Sequence, residues 1–83
     1  MNKLPRVTLY SSRQCAHCKQ LKQVLLQNNI KFMEFDVQSN RRAAKDFQRL
    51  GARGVPVLLV GESRLDGFQP QKLNKLLKQY KLI

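Results

Sequence analysis

Acidic side chains are scarce in these 83 residues, and no long apolar stretch occurs in them. A membrane helix needs about 20 predominantly apolar residues, so a spanning segment is excluded. The opening residues, Met1-Asn2-Lys3-Leu4-Pro5-Arg6, lack the apolar run of a secretory leader. A cytoplasmic protein is therefore expected, one with no business at a membrane. Linkers, internal repeats and low-complexity stretches are also missing, and the length suits one core. A single domain over residues 1–83 is expected, as a monomer. Histidine occurs once, at His17, and there are two cysteines, so one chain offers no second C-x-x-C or histidine pair to close a tetrahedral metal site. No metal ligand is assigned.

Five Asp and Glu face sixteen Lys and Arg, for a formal charge of +11. Such a surplus attracts nucleic acid, anionic lipid or an acidic protein surface. The cations are dispersed, however: Lys72, Lys75, Lys78 and Lys81 rotate around one predicted helix, and Arg41, Arg42, Lys45 and Arg49 spread over another. Aromatic residues interleaved with these charges, as stacking on single strands would use, are lacking. Solvated faces explain the charge better than a nucleic-acid surface.

The chemistry-bearing feature is Cys15-Ala16-His17-Cys18, placed where the apolar Val7-Thr8-Leu9-Tyr10 gives way to a helical pattern. A helix that starts at the first cysteine holds that thiol at its free amide end, where unpaired N–H groups and the helix dipole favour the thiolate. Thiolates are the species that exchange with disulfides. Cys15 is the expected nucleophile. Cys18 lies on the side of Leu21 and Leu25, more buried, and is expected to resolve the mixed disulfide. In a reducing compartment such a pair cycles between dithiol and disulfide rather than stapling the fold. His17 sits between the thiols, where an imidazolium or its dipole would stabilise the Cys15 thiolate and so the reduced form. With Arg13, Lys19 and Lys22 nearby, a couple less reducing than that of thioredoxin is expected.

The remaining pattern reads as βαβαββα. Leu21, Val24, Leu25 and Asn28 share one face of a helix from about Cys15 to Asn28, which Asn28-Asn29 breaks. Lys31 to Val37 is rich in strand formers and should run parallel to the first strand after this crossover. Ser39 or Asn40 can cap a second helix whose Ala43, Ala44, Phe47 and Leu50 face inward before Gly51 ends it. Val57 to Val60 is apolar throughout, as in a central strand covered on both faces. Gly61-Glu62-Ser63 turns into an edge strand, Arg64-Leu65-Asp66. Pro70 opens a last helix with Leu73, Leu76, Leu77 and Tyr80 on its apolar face. Pro56, which cannot donate to a sheet, belongs at the start of the third strand.

This order, with C-x-x-C at the first helix and Val55-Pro56 before the third strand, resembles the thioredoxin-fold superfamily over essentially the whole chain, and its size is similar to that of the glutaredoxins. The resemblance implies an α/β fold with a four-stranded mixed sheet flanked by three helices. It also implies a cis Val55-Pro56 bond beside the dithiol, whose main-chain groups pair with an extended substrate. Glutaredoxins that use glutathione usually carry Cys-Pro-Tyr-Cys, a Thr-Val-Pro, and acidic residues after a glycine pair. Here stand Cys-Ala-His-Cys, Gly54-Val55-Pro56 and Asp66-Gly67-Phe68-Gln69-Pro70. Gly67-Phe68-Gln69-Pro70 with Leu73-Asn74-Lys75-Leu76 is similar to the NrdH-redoxins, which take electrons from thioredoxin reductase and reduce ribonucleotide reductase. Arg53-Gly54-Val55-Pro56 is similar to the matching loop of thioredoxins.

The resemblance thus implies a thiol-disulfide oxidoreductase with no tightly bound cofactor. Either glutathione or thioredoxin reductase with NADPH supplies its electrons, and its substrates are disulfide-containing proteins or glutathione disulfide. Arg13, Arg53, Gly54, Val55, Pro56, Gly67 and Phe68 are the expected substrate-binding residues. Either arginine suits a carboxylate of glutathione, but no partner for its ammonium end stands in the sequence, and weak binding is expected. Two rivals remain. Some glutaredoxins assemble an iron–sulfur cluster across a dimer with glutathione, and a basic binding module for an anionic partner would use the charge alone.

Overall fold

The computed structural model describes residues 4–83, so the first half of the opening hexapeptide lies outside the described residues. Four strands and three helices follow in the expected order: β1 (Val7–Ser11), α1 (Ala16–Gln27), β2 (Met33–Asp36), α2 (Arg41–Arg49), β3 (Val57–Val60), β4 (Ser63–Asp66) and α3 (Pro70–Gln79). The strands form one mixed sheet in the order β2-β1-β3-β4. β2 lies parallel to β1 across the helical crossover, whereas β3 runs antiparallel to both β1 and β4. β1 and β3 are therefore central, and β2 and β4 are the edges.

Alternation along the two central strands divides the interior. Val7 and Leu9 of β1 and Leu58 and Val60 of β3 point to one side, where they meet Leu21 and Leu25 of α1 and Leu73, Leu76 and Leu77 of α3. Six of these side chains are wholly inaccessible, namely Leu9, Leu21, Leu25, Leu58, Val60 and Leu77. Each stabilises the fold by about 2 kcal/mol relative to an exposed position. Tyr10 and Val57 point to the other side and meet Ala43 of α2, with Phe35, Phe47, Leu50 and Leu59 only half buried around them. Tyr10 packs against Phe35 and Phe47 at 5.9 Å between ring centroids in each case. Burial, reinforced by the charge of Asp46, raises its phenol above the ordinary value.

The chain signals act where the sequence put them, with small shifts of boundary. Cys15 and Asn28 are the caps of α1 rather than its end residues, and Asn29 takes the left-handed turn (φ 56°) that asparagine tolerates. Asn40, not Ser39, caps α2, its side-chain oxygen accepting from the Ala43 N–H at 3.0 Å. Gly51, with φ 67°, then leaves the helix in a conformation that β-carbon-bearing residues avoid. β2 is shorter than the expected Lys31 to Val37 because β1 supplies partners only from Thr8, opposite Met33, to Ser11, opposite Asp36. Phe32 instead packs on the larger core. Ser63 pairs with Val60 and so belongs to β4, which leaves Gly61-Glu62 as the turn.

Candidate active site

β1 ends at Ser11, and after three residues the chain enters α1 at Cys15. Cys15 keeps extended backbone angles (φ −114°, ψ 105°), and its sulfur takes the place of a capping oxygen, accepting from the Cys18 N–H at 3.1 Å. No acidic side chain occupies the first turn of α1. Free amides and the helix dipole thus converge on Cys15 Sγ without a competing negative charge from that turn. Cys15 and Cys18 are joined as a disulfide, with their Cα atoms 5.2 Å apart. Cys15 is half-exposed and Cys18 only 3% exposed, the asymmetry expected between an attacking and a resolving sulfur.

The loop before β3 comes back to this point. Cys15 Sγ lies 3.9 Å from the carbonyl oxygen of Val55, and the Val55–Pro56 peptide is cis. The Pro56 carbonyl accepts from the Gly67 N–H at 2.8 Å, a tie that depends on Gly67 adopting a φ of 79°. The Val55 N–H has no hydrogen-bond partner among the described residues and lies outside β3. Arg53, Gly54, Val55 and Gly67 line one 500 Å³ groove with Asp66. Asp66 is engaged by Arg64, whose Nε and Nη2 donate to its two oxygens at 2.6 and 2.8 Å. These hydrogen bonds hold the Asp66 carboxyl below its ordinary range.

A second groove, of 350 Å³, opens on the β2 side of the disulfide and is lined by Arg13, Cys18, Lys19, Lys22, Glu34 and Asp36, among others. Arg13 is 81% exposed with its Nε 3.5 Å from Asp36, and Lys22 meets Glu34 at 2.9 Å. The buried Ser11 hydroxyl donates to the other oxygen of Glu34, also at 2.9 Å. The two arginines expected to receive carboxylates are therefore not brought together: Arg13 stands over β2 and Arg53 beside Val55. His17 is exposed, with its ring 6.5 Å from that of Phe68, and Phe68 packs partly on the larger core. Glu34, Asp36 and Ser11 were not expected at the site. Their signal is register: parallel pairing of β1 with β2 sets Ser11 opposite Asp36, three residues before the C-x-x-C helix approaches.

The glutaredoxin family model matches residues 7–65, from the first strand through the fourth. The chain belongs to the glutaredoxin family. This glutaredoxin is 31% identical over 70 residues to a glutaredoxin-like protein NrdH of Lactococcus lactis, covering 84% of this chain and 97% of that one. It is 28% identical to the NrdH of Escherichia coli K12, covering 86% and 88% of the two chains. Among solved structures, a thioredoxin-like protein superposes with a TM-score of 0.83 at 27% identity, over 88% of this chain and 95% of that one. The Escherichia coli NrdH-redoxin, described as having a thioredoxin-like activity profile, gives 0.77 at 28% identity, over 86% and 93%. With its Cys15–Cys18 pair in this frame, the glutaredoxin is a thiol-disulfide oxidoreductase. Among the described residues no three His, Cys, Asp or Glu side chains gather to hold a metal ion, and no helix is long and apolar enough to cross a membrane.

Proposed function

We propose that this glutaredoxin is a cytoplasmic, monomeric carrier that reduces protein disulfides, with Cys15 as nucleophile and Cys18 as resolving thiol. The half-exposed Cys15 sulfur at the amide end of α1, beside the Val55 carbonyl, is the observation that supports it most strongly. Cys15 thiolate attacks one sulfur of a substrate disulfide lying along Gly54-Val55-Pro56, and the other substrate sulfur leaves as thiolate and takes a proton. The buried Cys18 then loses its proton and attacks Cys15 Sγ, which releases the second substrate thiol and leaves the Cys15–Cys18 disulfide. Two electrons from a reductant restore the dithiol.

The free Val55 N–H and the carbonyl beside Cys15 are the main-chain groups available to an extended substrate. Likeness to the NrdH proteins supports thioredoxin reductase with NADPH as the electron source and ribonucleotide reductase among the recipients. Glutathione is the second donor to test. Arg13 or Arg53 can receive its carboxylate, but the sole acid by Gly67 is already forked by Arg64. His17 is the proposed tuner of the couple, from its place in the first turn of α1.

One assay decides among these: insulin reduction driven in parallel by thioredoxin reductase with NADPH and by glutathione with its reductase. Turnover through the first route is expected to dominate. Cys15→Ser should abolish turnover, and Cys18→Ser should accumulate mixed disulfides with substrate. Full activity in both variants would remove the dithiol from the mechanism. The reduction potential is expected above about −270 mV, the thioredoxin value, and His17→Ala should shift it in the negative direction. An unchanged potential in that variant takes the tuning role away from His17.

A further inference from the structure

We propose that the disulfide this glutaredoxin accepts lies in an acidic polypeptide segment, with carboxylates on both sides of the reacting cysteine. The proposal rests on the oxidoreductase assignment and adds the charge of the substrate to it. Its basis is the placement of two grooves, one on each side of the Cys15–Cys18 bond. Cys18 lines the groove over β2, and Val55, 3.9 Å from Cys15 Sγ, lines the groove that reaches β4. In the sheet order β2-β1-β3-β4, these grooves fall on opposite flanks of the strand that leads to the dithiol. An extended chain crossing Cys15 therefore enters both.

Each groove has its acids already neutralised from within the protein. Glu34 is met by Lys22, Asp36 by Arg13 and Asp66 by Arg64. Lys19 in the first groove and Arg53 in the second enter no ion pair among the described residues, and both are exposed. One uncompensated cation thus remains on each flank, with the amide end of α1 between them. Lysine-rich or arginine-rich segments are repelled from both grooves, and a neutral segment leaves both cations unpaired. A segment of opposite charge is also drawn in from a distance by the net charge of +11, which acts on the rate of encounter. Glutathione disulfide carries carboxylates too, on a shorter frame than an extended peptide, and so serves as the comparison substrate.

The test uses pre-reduced protein in single turnovers, so that no donor enters. Each turnover converts the dithiol into the Cys15–Cys18 disulfide and one peptide disulfide into two thiols, with two electrons and two protons passing to the peptide. Three peptides share one disulfide and differ only in flanks of Glu, Gln or Lys; glutathione disulfide is the fourth substrate. At low salt the Glu-flanked peptide should react about tenfold faster than the Gln-flanked one, and the Lys-flanked peptide slowest. The spread should close near 1 M salt, where the screening length falls to about 3 Å.

Local charge is separated from total charge by two double reversals of equal size. Lys19→Glu with Arg53→Glu should invert the order of the Glu and Lys peptides. Lys31→Glu with Lys78→Glu, at the end of the sheet remote from Ser11 and Cys15, should keep most of the preference. Equal losses in both double variants, equal rates for the three peptides, or faster reaction of glutathione disulfide than of the Glu-flanked peptide overturns the substrate class. Failure to reduce any of the four substrates overturns the oxidoreductase assignment, and the substrate class with it.

Discussion

The two faces of the sheet are built to different standards. The face under α1 and α3 is a continuous apolar layer with six wholly inaccessible side chains, whereas the face under α2 has three buried residues ringed by half-exposed ones. The division matters because the disulfide and the loop proposed to meet substrate hang from different faces. The disulfide sits at the start of α1, fixed to the thick layer by Leu21 and Leu25. The loop carrying Arg53 to Pro56 follows α2, and Leu50 and Ala52 just ahead of it pack on the thin one. The position of Cys15, the proposed nucleophile, is held by close packing. The loop proposed to meet substrate buries Pro56 but leaves Arg53 and Gly54 exposed and is tied by single polar contacts such as that from Gly67 to Pro56, so it should open at lower free energy.

Truncations sharpen this contrast most. Leu25→Ala removes a wholly buried side chain from the thick layer and should cost about 3 kcal/mol or more, while Phe47→Ala, losing a half-buried ring on the thin side, should cost about 2 kcal/mol despite the larger residue. Denaturant midpoints read at constant slope measure both, and a larger loss at Phe47 would break the comparison. Next comes the polar support of α2: Asn40→Ala deletes the bond to the Ala43 N–H and should destabilise by about 1 kcal/mol. Hydrogen exchange should quicken in α2 and in the loop before Pro56 but not in α1. Exchange that quickens equally in both helices contradicts the division.

The smallest effect concerns the groove wall at Asp66. Its carboxyl, hydrogen-bonded by Arg64, titrates below its ordinary value when folded, so the pair stabilises the protein above the ordinary carboxylate range. That contribution fades as pH falls through the lowered value. Both side chains are substantially exposed, so the loss on acidification should be a fraction of a kcal/mol. Comparing wild type with Asp66→Asn between pH 7 and pH 2 measures it; a difference that grows on acidification has the wrong sign.

Element order, sheet character and the reactive pair were legible because each rests on a local signal. A short apolar run marked β1, another marked β3, Pro70 opened α3, and the C-x-x-C stood at a strand-to-helix junction. The end of β2 was not legible, since it depends on how many residues β1 offers as partners. Which arginines share a groove was equally hidden. Arg13 and Arg53 both flank motifs in the chain, yet strand order sends one toward β2 and the other toward β4. The carboxylates that neutralise the grooves lie on other strands, visible only once the sheet is assembled.

Cys15 sulfur, the proposed reacting atom, is also the terminator of a helix, because it accepts from the Cys18 amide. Serine is among the best residues at that helical position. Exchanging this sulfur for a hydroxyl therefore deletes the chemistry while leaving α1 anchored at its start, whereas alanine would remove both functions together and blur cause with consequence.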